Sequence, residues 1–125
     1  MVIKIMECVF CKIANGSIPA MKVYEDELIM VFMDANPVSA GHVLIIPKEH
    51  TLDFETISLE VLMEIVKKAK DLARMIVSKL DAQGYALVQN NGICQEVKHF
   101  HLHIIPKYEK KNNLTKEEAF KKITA

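Results

Sequence analysis

His99-Phe100-His101-Leu102-His103-Ile104-Ile105 is the stretch that most narrows what this chain can fold into. Polar and apolar side chains alternate, and on extended backbone successive side chains point to opposite faces. The pattern predicts a strand over 97–105. His99, His101 and His103 then share one face, each about 7 Å from the next. Phe100, Leu102 and Ile104 face a core. Ordinary solvated strand faces use Thr, Lys, Glu and Ser. Three of the chain's five histidines within five residues mark a chemical site instead. Two chemistries suit such a row: three-His ligation of a catalytic zinc, or an imidazole nucleophile whose neighbours handle the charge. On a regular strand the outer histidines stand about 13–14 Å apart, too far for one ion.

Size and charge narrow the partner. The chain has 125 residues and a mass of 14.2 kDa, which suits a single domain over 1–125 with a C-terminal tail from 107 to 125. Half of the residues are hydrophobic, enough to form a core without disulfides. Lys plus Arg and Asp plus Glu both number 16, so the net charge is zero. Proteins that hold duplex nucleic acid by neutralising phosphates carry a basic excess. No nucleic acid is expected here, and a small molecule suits better. Arg74 is the only arginine. A phosphate site must therefore use backbone amides, His, Asn, Gln or Lys rather than bidentate Arg. No apolar run approaches the roughly 20 residues of a membrane span. The opening MVIKIMECVFCKIA is broken by Lys4, Glu7 and Lys12 and has no small-residue cleavage site. A cytoplasmic protein with no membrane partner is expected. Three cysteines in that compartment point away from a disulfide framework and leave metal binding or catalysis open.

Residues 7–15 predict a short helix ended by Asn15-Gly16. Residues 21–25 and 28–33 predict a hairpin around Glu25-Asp26-Glu27, and 42–47 an apolar strand stopped by Pro47. Ser58 reads as the N-cap of a long amphipathic helix over 58–80, ended near Gly84. Its apolar residues, from Leu59 and Leu62 through Ile65, Ala69, Leu72 and Ile76 to Leu80, recur at helical spacing. A strand over 85–90, a loop over 91–96 and the histidine strand follow, the last stopped by Pro106. The tail beyond it carries six Lys and three Glu, which predicts a solvated end with a short last helix capped by Thr115. The sum is an α+β fold: a five-stranded, mostly antiparallel sheet with one long helix and a short N-terminal helix. The sheet face away from the long helix is left for a site or a partner copy.

Asn90-Asn91-Gly92 and Gln95 precede the histidine strand. A Gly-containing loop with amide side chains offers N–H donors to a phosphate, although Asn-Gly is also an ordinary turn signal. Together with HFHLHII these segments resemble the histidine triad (HIT) superfamily, whose signature is His-φ-His-φ-His-φ-φ with φ apolar. CVFCKI, VYEDE, FMD, GHVLIIPKEH and NNG…QEV stand in the order of its Hint-like branch, and the resemblance covers about residues 7–108.

The resemblance implies a HIT-like fold and a nucleotide hydrolase or transferase acting at the α-phosphate of nucleoside phosphoramidates or adenylates. By motif position His101 is the nucleophile, forming a covalent nucleotidyl-histidine. The chemistry suits the residue, because a neutral imidazole attacks phosphorus when its other nitrogen is held by an acceptor. His103 is implied to contact a phosphate oxygen, and His42 to support the nucleophile. Asn90 and Gln95 match phosphate-loop positions, and Asp34 the acid that binds the ribose hydroxyls. Val9, Phe10, Ile13 and Phe32 match the apolar wall around a purine base. Some relatives with CxxC share a structural zinc with the His of PKxH and the first triad His. That implies a Cys2His2 zinc on Cys8, Cys11, His50 and His99, and no catalytic metal. The branch also implies a homodimer joined through the long helix and a strand. One departure stands out: the loop after NNG is two residues shorter than in relatives, and Cys94 replaces the Gly before Gln95. Gly permits close approach and positive φ, so Cys94 is expected to crowd a bound phosphate or redirect the loop. Cleavage of dinucleoside polyphosphates, and nucleotide binding without turnover, are the alternative functions.

Overall fold

The computed structural model of the chain describes residues 8–125. The reading of the opening segment, and the expected helix start at Glu7, lie outside the described residues. Helix α1 (Val9–Ala14) is capped by Cys8, whose Sγ accepts the Cys11 amide at 3.3 Å. Asn15 ends it, followed by Gly16 at φ 86°. Strands β1 (Lys22–Glu25) and β2 (Ile29–Met33) form the expected hairpin. Asp26 shapes its turn, with Oδ1 accepting the amides of Leu28 at 2.8 Å and Ile29 at 3.0 Å. Strand β3 (Val43–Pro47) follows, then helix α2 (Leu59–Leu80) with Ser58 as its N-cap, β4 (Gly84–Val88), β5 (Leu102–Lys107) and helix α3 (Lys116–Thr124).

The sheet has five strands in the order β1-β2-β3-β5-β4, and every neighbouring pair is antiparallel. β2 and β3 are buried along their whole length because both faces are covered. Ile29, Val31, Val43, Ile45 and Ile104 pack under Ile65, Ala69, Leu72 and Ile76 of α2. Met30, Phe32, Leu44 and Ile46 pack on the opposite face with Phe10 of α1. That second layer is where the site lies.

Several boundaries differ from the sequence expectation, among them that of β4, which runs over Gly84–Val88 rather than 85–90. The ladder of β5 starts at Leu102, not at 97, and ends at Lys107, beyond Pro106. Its last pairing with β3 is Ile45 with Leu102, and upstream the Phe100 amide donates to Thr51 O at 2.7 Å instead. Pro106 is tolerated because its main chain faces the side where β3 has already ended. There its carbonyl accepts the Ser39 hydroxyl at 2.6 Å, and no ladder N–H is needed. α2 stops at Asp81, which adopts φ 55° and ψ 45°; Gly84 already belongs to β4. The tail is not a solvated end. A capping box between Thr115 and Glu118 starts α3, and Ala119 and Ile123 are buried in the core beside α2.

Candidate active site and metal centre

Although its ladder starts late, the segment keeps its alternation. Phe100 and Ile104 lie in the α2 core. His99 and His101 meet Phe10 edge-on at 5.9 and 5.0 Å on the other side, and the His101 and His103 rings are 4.9 Å apart.

Backbone partners decide which ring nitrogens carry protons, because a carbonyl only accepts and an amide only donates. His101 Nδ1 lies 2.8 Å from His99 O, so Nδ1 holds a proton and the neutral ring has its lone pair on Nε2. His99 Nε2 lies 2.8 Å from Pro47 O, so its lone pair is on Nδ1. That Nδ1 is 3.3 Å from Cys8 Sγ and 3.4 Å from Cys11 Sγ. The Val38 amide donates to His42 Nδ1 at 3.0 Å, so a neutral His42 carries its proton on Nε2. Burial pushes the His42 pKa down to about 4 against the opposing pull of Asp34, so the ring is neutral near pH 7. Burial likewise lowers His103, helped by His101.

Cys8, Cys11, His50 and His99 form one cage, with all their ligand atoms within 4.8 Å of one another. Cys11 Sγ is 3.2 Å from His50 Nδ1. Usual zinc bond lengths put sulfur and nitrogen about 3.5 Å apart on a tetrahedron, so the 3.2–3.4 Å contacts fit such an ion. Burial, with Cys8 adding to it, pushes the Cys11 thiol up to about 12 when no cation is present. A divalent cation reverses that preference and holds the thiolate. Asp34, His42 and His103 also converge within 4.8 Å. Their donors do not fit a cation, because His42 Nε2 holds a proton where a ligand needs a lone pair.

A cleft of about 890 Å³ opens over the histidine face. Val9, Phe10, Ile13, Phe32, Asp34, His42, Asn90, His101 and His103 all line it. Gln95 does not. It is 4 % exposed, and its side-chain amide donates to Leu52 O at 2.6 Å, which ties down the loop. Cys94 does not line the cleft either: a single 3₁₀ turn at Gly92–Cys94 leaves it exposed, with Sγ donating to Asn91 O at 3.1 Å. The expected crowding is therefore absent from the lining. Leu44 and Lys116 line the cleft and were not singled out from the sequence. Leu44 shares the His42 face by alternation along β3, a signal that was legible. Lys116 had none, since its place depends on the docking of α3.

The site thus sets a proton-ordered imidazole in the lining of a cleft, with a sulfur–imidazole cage beside it. The chain belongs to the HIT domain family, whose match spans residues 15–110. It is 42% identical over 118 residues to an uncharacterised HIT-like protein of Methanocaldococcus jannaschii, covering 93% of this chain and 91% of that one. It is 40% identical over 104 residues to an adenosine 5'-monophosphoramidase of Schizosaccharomyces pombe, covering 82% and 75%. The crystal structure of a zinc-bound histidine triad family protein from Mycobacterium smegmatis superposes with a TM-score of 0.88 at 32% identity, covering 96% of this chain and 92% of that one.

Proposed function

We propose that this chain is a nucleotide hydrolase that acts at the α-phosphate of purine nucleoside phosphoramidates or adenylates through a covalent nucleotidyl-histidine on His101. The observation that carries the reading is the 2.8 Å contact from His101 Nδ1 to the His99 carbonyl, which leaves Nε2 as an oriented lone pair on a residue lining the cleft. The similarity to the Schizosaccharomyces pombe monophosphoramidase supports this substrate class.

In the proposed reaction, His101 Nε2 attacks phosphorus. A P–N bond to the imidazole forms as the bond to the leaving group breaks. The positive charge on the phosphorylated ring is stabilised by the His99 carbonyl at Nδ1. Asp34 takes the ribose hydroxyls, the walls of α1 and β2 take the base, and His103 takes a phosphate oxygen. Water then attacks phosphorus and gives up a proton to solvent, the electron pair of the P–N bond returns to Nε2, and the nucleoside monophosphate leaves neutral His101.

Cys8, Cys11, His50 and His99 would hold a structural zinc. A closed set of four protein donors supplies folding energy and no open position for catalysis. The unit is proposed to be a homodimer with purine nucleotide as its ligand. Among the described residues no helix is long and apolar enough to cross a membrane.

The test is phosphorus NMR of adenosine phosphoramidate with the wild type and with His101→Ala. Conversion to adenosine monophosphate by the wild type alone is the expected result. Binding without conversion by either protein would replace hydrolysis with nucleotide binding.

A further inference from the structure

The contacts behind His103 run in one direction and start at a main-chain amide. Val38 N–H donates to His42 Nδ1 at 3.0 Å, and His42 Nε2 lies 2.9 Å from His103 Nδ1. Asp34 Oδ2 competes for the same His42 proton from 3.5 Å, and stands 4.0 Å from His103 Nδ1. The shorter contact is the one to His103, so His42 Nε2–H donates there. A neutral His103 that accepts at Nδ1 carries its own proton on Nε2.

The loop that supplies the amide is held from several sides. Gly41 sits at φ 89°, and a Cβ there would come within 2.5 Å of Leu80 Cδ1, so only glycine fits against the end of α2. The Ser39 hydroxyl donates to Pro106 O at 2.6 Å, and the Tyr108 hydroxyl donates to Ala40 O at 2.7 Å. The His42 amide donates to Ser39 O at 3.2 Å. Val38 itself is 68 % exposed, so its side chain contributes little packing. Val38 also lines the cleft, and what it supplies to His42 is its N–H. The reverse tautomer of His42 would set a ring proton against that N–H, on a side chain that is 2 % exposed.

We propose that the main-chain amide of Val38 is a positioning group: it fixes the proton order through His42, so that His103 offers the cleft an N–H donor at Nε2. The consequence for phosphate rests on the hydrolase reading above; the proton order itself does not. A fixed donor suits an oxygen that gains negative charge as phosphorus is attacked. A ring of mixed tautomers would present a lone pair to that oxygen part of the time and repel it.

Long-range proton–nitrogen correlation spectra of the wild-type chain test the order directly. His42 and His103 are each expected to show an unprotonated Nδ1 and a protonated Nε2. The reverse order at either ring, or signals averaged between tautomers, overturns the proposal. Val38→Pro removes the amide hydrogen at a position without positive φ. It is expected to mix the His42 tautomers and to lower kcat on adenosine phosphoramidate by about tenfold to a hundredfold with little change in KM. Val38→Ala keeps the amide and is expected to retain the wild-type tautomer spectrum. A folded Val38→Pro protein with the wild-type spectrum and kcat would show that the amide sets nothing. Expected spectra in a wild type that never turns over would support the proton order and reject the hydrolase reading, so the two failures are distinct.

Discussion

A buried histidine kept neutral makes a fold sensitive to acid, and His42 is such a residue. Its ordinary value is 6.5 and burial brings it to about 4 in the native state. Between those values the unfolded chain binds a proton that the native chain refuses. The stability His42 contributes is therefore fully present above about pH 6.5 and is lost as pH falls toward 4. At about 1.4 kcal/mol per unit, the loss is on the order of 3 kcal/mol. Urea unfolding of the wild type and of His42→Gln from pH 8 to pH 4.5 should show the steeper decline in the wild type. Parallel declines would mean that His42 does not carry the linkage. Single residues were legible here to different degrees. The histidine row was readable because alternation survives even where ladder pairing does not. Gln95 was not, since its amide is consumed by Leu52 O, a contact 43 residues away that no local pattern encodes.

At the scale of elements, helix starts were easier to read than helix ends. Ser58 and Thr115 announce α2 and α3 with side chains that accept amides of the first turn, a local chemistry the sequence displays. α2 ends instead on Asp81 in the left-handed region, where no glycine marks the stop. Two costs meet at that residue: a Cβ in a left-handed conformation, and a negative charge at the negative end of a helix dipole. Asp81→Gly removes both and should stabilise the fold by about 0.5–1.5 kcal/mol. A lower melting temperature for that variant would refute this account of the helix end. The Cys/His cage spans elements, since it brings together α1, the segment after β3 and the segment before β5. One equivalent of zinc per chain is expected by elemental analysis. Removing it with a chelator, or substituting Cys11→Ser, should lower the melting temperature by about 10 °C or more, because structural zinc contributes folding free energy directly. A metal-free protein with an unchanged melting temperature would leave the cage without a structural role.

Assembly is the property of the whole molecule that local patterns carry least, yet the fold leaves a definite surface for it. β4 is an edge strand, and Tyr85 and Leu87 on it are 49 % and 52 % exposed. Leu87 pairs with Ile104, and directly paired residues share a sheet face, so Leu87 stands on the α2 side. Leu59, Met63 and Val66 line one stripe of α2 and are likewise exposed. Leu87 and the helix stripe thus both lie on the side of the sheet opposite the cleft. A bare edge strand with apolar neighbours invites pairing by another chain. In the proposed homodimer a second copy across a two-fold axis would extend the sheet edge to edge, with the same patch used on each side. Light scattering at micromolar concentration should give about twice the 14.2 kDa of one chain. Leu87→Lys places a charge on that edge at a position already half open to solvent, so it should yield a folded monomer. A wild type that runs at the mass of one chain removes the homodimer. A Leu87→Lys protein that stays dimeric moves the interface off β4, because a buried, unpaired lysine at each half of a two-fold contact is a cost that the pairing proposed here cannot absorb.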